Sequence, residues 1–92
     1  TMVSYVAKGA LGDAYMEQNK ADDAVKSYLE ASADDNNVLL TPLYLERAAM
    51  AYEILNKKED AIKTYKKIVD RFPSSAQAQD SKKNLARLGD YN

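Results

Sequence analysis

The sequence predicts an all-α fold, a short right-handed solenoid of antiparallel helix pairs. Three observations carry this expectation. Apolar residues recur at steps of three and four along most of the chain, the spacing of one face of a helix. Only three Gly and two Pro are present in 92 residues, too few for the turns of an all-β domain. The stretch 14–28 recurs at 51–65 after a shift of 37 positions. The 92 residues are read as one domain, with a first repeat over about 3–37, a second over about 41–73 and a capping helix over about 75–89.

Five helices follow from pattern and punctuation. Val3, Val6, Ala7, Ala10, Leu11, Ala14 and Tyr15 form the stripe of a first helix over about 3–18, which Asn19 ends because Asn tolerates the left-handed conformation. Ala21, Ala24, Val25, Tyr28, Leu29 and Ala31 define the second. Asp34-Asp35-Asn36-Asn37 has no apolar residue and side chains that bond their own backbone, so it reads as a loop. Thr41-Pro42 offers a capping hydroxyl and then a Pro where a missing N–H costs nothing, and starts the third helix. That helix carries Leu45, Ala48, Ala49, Tyr52 and Leu55 and stops at Asn56. The fourth carries Ala61, Ile62, Tyr65, Ile68 and Val69, and Pro73 closes it near Arg71 or Phe72. Ser74 or Ser75 caps the fifth, which runs to about Leu88 and meets Gly89.

Within the repeated window 8 of 15 positions are identical: Ala14/Ala51, Tyr15/Tyr52, Asn19/Asn56, Lys20/Lys57, Asp23/Asp60, Ala24/Ala61, Lys26/Lys63 and Tyr28/Tyr65. A duplicated helix–turn–helix unit accounts for this better than chance. Ala24 and Ala61 let two helices approach closely, and Tyr28 and Tyr65 supply rings to fill the gap.

These residues resemble the tetratricopeptide repeat, a helix pair of about 34 residues with a small/large pattern. Leu11, Gly12, Tyr15, Ala24, Tyr28 and Ala31 fall in order on that family's positions, and Ala48, Ala49, Tyr52, Ala61, Tyr65, Ile68 and Pro73 repeat them. The likeness covers about residues 5 to 75. Lys8 and Leu45 stand where the family has an early Trp, Asn36 stands where Pro is usual, and the first link is three residues longer, through Val38-Leu39-Leu40. The stretch from Tyr65 to Leu88 is also similar, less specifically, to terminal repeats of bacterial cell-envelope members.

Composition removes most chemistries. The chain has no Cys, His or Trp, so disulfides, zinc sites, thiol nucleophiles and imidazole catalysis are excluded. Thirteen Lys plus Arg against fourteen Asp plus Glu leaves a net charge of −1, which disfavours nucleic acid and anionic membrane as partners. No apolar run approaches a membrane span. Carboxylates remain as the sole candidate catalysts, but Asp22-Asp23 reads as a first-turn pair suited to the helix dipole. Surface pairing is expected from Asp22 to Lys26 and from Glu59 to Lys63. Asp34-Asp35-Asn36-Asn37 lacks the spacing and Gly of a calcium loop. Lys57, Lys58, Lys63, Lys66 and Lys67 read as a solvated face. Tyr15, Tyr28, Tyr52 and Tyr65 are assigned to the core, with Tyr5, Tyr44 and Tyr91 less constrained. No enzyme activity, cofactor or metal is expected.

The resemblance implies a concave surface lined by the first helix of each pair, in which a segment of a protein partner lies. Carried over by position, it shows Val6, Gly9, Asp13, Met16 and Glu17 from the first helix, and Leu43, Glu46, Arg47, Met50 and Glu53 from the third. Family members that grip acidic peptide C-termini use Lys, Asn and Arg where this chain has Gly9, Asp13 and Glu46. The expected ligand is instead a segment with Lys or Arg beside an apolar anchor. The fifth helix, with Gln77, Gln79, Asp80, Lys82, Lys83 and Asn84 around Ala78, Leu85 and Leu88, reads as a polar-backed cap. The first helix has no such cover, so Val3, Val6, Ala7 and Ala10 are expected at an apolar end that self-associates or meets further repeats. The alternative role is thus an oligomerisation module with this helix as its seam. The chain opens on Thr1 rather than Met, as expected of a piece of a longer protein. Nothing in it selects between cytoplasm and bacterial cell envelope.

Overall fold

The computed structural model describes residues 1–90 and contains α1 (Met2–Glu17), α2 (Ala21–Ala31), α3 (Leu40–Ile54), α4 (Lys58–Arg71) and α5 (Ala76–Arg87), with no strand among the described residues. Each helix packs on the next in sequence, and smaller contacts join α1 to α3 and α3 to α5. That pattern is a stack of antiparallel hairpins whose first helices are neighbours.

The breaks between helices have local causes. Asn19 and Asn56 both hold positive φ, 61° and 59°, and the following Lys20 and Lys57 N–H groups donate back to the carbonyls of Tyr15 and Tyr52 at 2.9 Å. The two copies of the repeat therefore close their first helices with the same Asn turn, as the sequence predicts. Ser75 caps α5 by accepting from Ala78 N–H at 3.0 Å, and Gly89 ends the helix at φ 87°.

The start of α3 differs from expectation. The turn begins before Thr41, because Asn37 Oδ1 accepts from Leu40 N–H at 2.9 Å and from Leu39 N–H at 3.2 Å. Thr41 lies inside the first turn, fully buried, and its hydroxyl donates to the Asp34 carbonyl instead of accepting a backbone N–H. Asn37 takes the capping role assigned to Thr41 because it sits one turn earlier with a free carbonyl oxygen. Nor do Asp22–Lys26 and Glu59–Lys63 form ion pairs among the described residues; the i,i+4 spacing permits such pairs but does not compensate the ordering of two exposed side chains.

Two apolar clusters hold the stack. Ala24, Tyr28, Ala31, Tyr44 and Ala48 join α2 to α3, with Tyr15 and Met16 packed against them. Leu45, Ala49, Ala61, Tyr65, Ile68, Phe72, Ala78 and Leu85 join α3, α4 and α5. Ala24, Ala61 and Tyr65 are 0% exposed and Tyr28 only slightly more, so the paired alanines and rings pack as predicted, whereas Tyr15 and Tyr52 are half-buried. Tyr44 is the correction among the tyrosines. Less constrained by the sequence pattern, it is nonetheless buried, because Gly9 leaves the space its ring occupies: a Cβ on Gly9 would stand 2.2 Å from Tyr44 Cε1. Tyr5 is half-buried, and Tyr91 lies outside the described residues. Leu11, on a family core position, is 43% exposed, as is more of the outer face of α1.

Candidate functional site

Because α1 contacts α3 and α3 contacts α5, these three helices share one side of the stack, where Asp13 meets Arg47 across α1 and α3, and Glu46 meets Asp80 and Glu53 meets Arg87 across α3 and α5. The side chains singled out from the sequence differ in placement. Val6, Glu17 and Met50 are exposed; Asp13, Met16, Glu46, Arg47 and Glu53 are partly buried. Gly9, carried onto this face by position, lies buried under Tyr44 and offers a partner nothing.

Two of the acids are already engaged. Tyr28 donates its hydroxyl to Asp13, and Arg47 Nη1 lies 2.9 Å from the other oxygen of that carboxylate. In the second pair Tyr65 donates to Glu53 Oε2 at 2.6 Å, and Arg87 Nη2 bonds both Glu53 oxygens at 2.8 and 2.9 Å. Each triad takes Tyr from a second helix, the acid from the first helix of the same pair, and Arg from the next first helix. Burial, then the carboxylate hydrogen bond, pushes both tyrosine hydroxyls well above their ordinary range, so they remain donors throughout physiological pH. The triads tie neighbouring hairpins together. The guanidinium of Arg47 also stands 5.7 Å from the centroid of the Tyr44 ring, a cation–π distance.

Sequence reading missed the triads for a definite reason. Under the 37-residue shift Asp13 falls on Met50 and Glu53 falls on Met16, so the acid moves by almost one helical turn between copies while the Met takes the vacated place. The signal present was the separation of 34 between Asp13 and Arg47 and again between Glu53 and Arg87.

Glu46 is different. One of its carboxyl oxygens is buried with no hydrogen-bond partner among the described residues, and its neighbour across the face is Asp80 of α5. Two ionised carboxylates have only acceptors to offer each other, whereas a single shared proton lets one bond to the other. Burial first, and then Asp80, raises Glu46 to about 7, with the Arg47 guanidinium pulling weakly the other way. Near neutral pH this face thus holds an acid pair with no ion-pair partner among the described residues. Among the described residues no group of three potential ligands is arranged to hold a metal ion.

A family model for the tetratricopeptide repeat matches residues 10–76, more than two thirds of the chain. The chain belongs to the tetratricopeptide repeat family. Comparison with curated proteins and with solved structures gave no significant match. Tetratricopeptide repeats generally mediate protein–protein interactions and are typically non-catalytic. No helix among the described residues is long and apolar enough to cross a membrane.

Proposed function

We propose that this tetratricopeptide stack is an interaction scaffold that captures, on the face shared by α1, α3 and α5, a partner segment carrying Lys or Arg beside an apolar residue. The observation that carries this reading is the Glu46–Asp80 pair: a buried Glu46 carboxyl oxygen without a donor among the described residues, on a group raised in pKa by burial first and then by Asp80. A partner ammonium or guanidinium supplies the missing charge and donors together. Met50, 53% exposed on the same helix, and Val6 offer apolar contact, and the exposed Glu17 adds negative charge. Asp13, Arg47 and Glu53 act by holding the face in shape, since Tyr28, Tyr65 and Arg87 already occupy their partners.

The test is fluorescence anisotropy with a labelled peptide containing Lys-Leu pairs, against the same peptide with Glu for Lys. Glu46→Gln with Asp80→Asn is expected to weaken binding about tenfold or more, with helicity unchanged. Equal affinity of the double variant, or equal binding of both peptides, refutes the reading.

A second reading rests on the outer face of α1, where Val3 is 79% exposed and Met2, Val6 and Leu11 accompany it. In α3 the positions 37 residues later include Leu40 and Ala48, which pack against α2. The α1 face is therefore shaped for another helix, and a second copy of the chain is the simplest cover. Sedimentation velocity across a hundredfold concentration range distinguishes this: a monomer throughout excludes the seam, and Leu11→Glu abolishes any association that runs through it.

A further inference from the structure

The first inter-pair link is three residues longer than the family's spacing, and its extra residues do not disappear into the core. Leu40 turns inward to pack against the Ala24–Tyr28 cluster, but Val38 and Leu39 stand 67% and 78% exposed. They form one lip of an open cleft of about 600 Å³ whose other side is the α4–α5 connection. Phe72, itself buried, backs the cleft, and Pro73 contributes further apolar surface. The volume is that of a site for one or two large side chains or a small ligand. The cleft lies at the edge of the stack where second helices hand over to first helices, away from Glu46.

Its polar end is rich in hydrogen-bond donors. Arg71 lines it, half-exposed, with the Asp35 carboxylate at 2.8 Å as its partner, so most of its five donors remain open. The first turn of α5 lines it as well. Ser75 satisfies Ala78 N–H, and the N–H groups of Ala76 and Gln77 have no acceptor among the described residues. A guanidinium and the positive end of a twelve-residue helix thus face one end of an apolar trough.

We infer that this cleft is a second docking site, for a partner-protein segment in which a large apolar side chain stands beside an Asp or Glu. The apolar side chain lies between the Val38–Leu39 lip and Pro73, and the carboxylate meets Arg71 and the N-terminus of α5. Open donors select the occupant: a Lys or Arg head group, the kind proposed for the α1–α3–α5 face, is itself a donor and offers them no acceptor. The two sites therefore read opposite charge, and either can be lost without the other.

The experiment is a ¹⁵N–¹H titration of the full chain with a blocked peptide containing Phe-Glu, with Phe-Gln and Ala-Glu peptides and octanoate as comparisons. Shifts confined to Val38, Leu39, Ala76, Gln77 and their neighbours are expected, with Phe-Gln and Ala-Glu each binding about tenfold more weakly. Arg71→Gln and Leu39→Ser, both at exposed positions, are expected to remove the response while leaving the rest of the spectrum in place. Equal binding of Phe-Gln overturns the carboxylate subsite. Tighter binding of octanoate, shifts that track protein concentration instead of peptide, or shifts elsewhere overturn the peptide as occupant, while failure at this cleft leaves the Lys-Leu result at Glu46 and Asp80 unaffected.

Discussion

Gly9→Ala isolates the packing that brings the first hairpin onto the second. In an unconstrained helix interior, Gly to Ala stabilises by about 1 kcal/mol through backbone entropy. Here the new methyl would lie 2.2 Å from Tyr44 Cε1, 2.3 Å from Cζ and 2.6 Å from Oη, whereas ordinary carbon contacts begin near 3.4 Å. The ring must therefore retreat by more than about 1 Å, and it is buried among Ala24, Tyr28, Ala31 and Ala48 with little room to do so. Overpacking of this kind costs about 1–3 kcal/mol, which offsets the entropic gain and leaves an expected net loss of up to about 2 kcal/mol. Urea unfolding followed by circular dichroism reads it, with the slope unchanged and the midpoint lowered. Tyr44→Leu removes the three clashing atoms, and in that background Gly9→Ala is expected to be neutral or stabilising. A stabilised Gly9→Ala in the otherwise unaltered chain would falsify the close approach of α1 to Tyr44.

Other perturbations follow from the same contacts. Glu46 has its pKa raised from 4.5 to about 7, so the stability it lends is complete below pH 4.5 and is lost as pH rises through about 7. Glu46→Gln, which removes that loss, is expected to stabilise the fold at pH 8 by about 1–2 kcal/mol after solvent screening and to leave it little changed at pH 4, as read from chemical denaturation at both values. Tyr65→Phe withdraws the hydroxyl from Glu53 and is expected to lower stability by about 1 kcal/mol, with Arg87→Ala in a double-mutant cycle showing coupling between the two. Asn56→Ala, at φ 59°, is expected to lower the melting temperature by several degrees, about 1 kcal/mol, while Asn56→Gly holds or raises it.

Much of the architecture could be read from short-range signals. Asn19, Asn56, Pro73, Ser75 and Gly89 mark helix ends because each acts on its own or the adjacent backbone, and a local preference of that kind is visible without knowing the fold. The 37-residue shift placed Ala24 with Tyr28 and Ala61 with Tyr65 because both copies solve the same packing problem. Features that depend on two distant residues were not visible. Nothing beside Tyr44 in the chain announces that Gly9, 35 residues earlier, makes room for its ring. The cap of α3 was a contest between Asn37 and Thr41, each competent alone, and the buried hydroxyl found a better use at the Asp34 carbonyl. On the face shared by the first helices, the residue types were legible and their employment was not. Asp13 and Glu46 look alike in sequence, but one has an Arg and a Tyr and the other has Asp80.

That contrast gives the most direct measurement of the proposed role. A carbon-detected NMR titration of the Glu46 carboxyl, with and without a saturating Lys-Leu peptide, reads the pair itself. The expected midpoint is about 7 in the free protein, moving down toward 4.5 when the partner cation arrives. A free midpoint already at 4.5, or one that stays near 7 in the presence of bound peptide, would contradict an acid pair awaiting its cation.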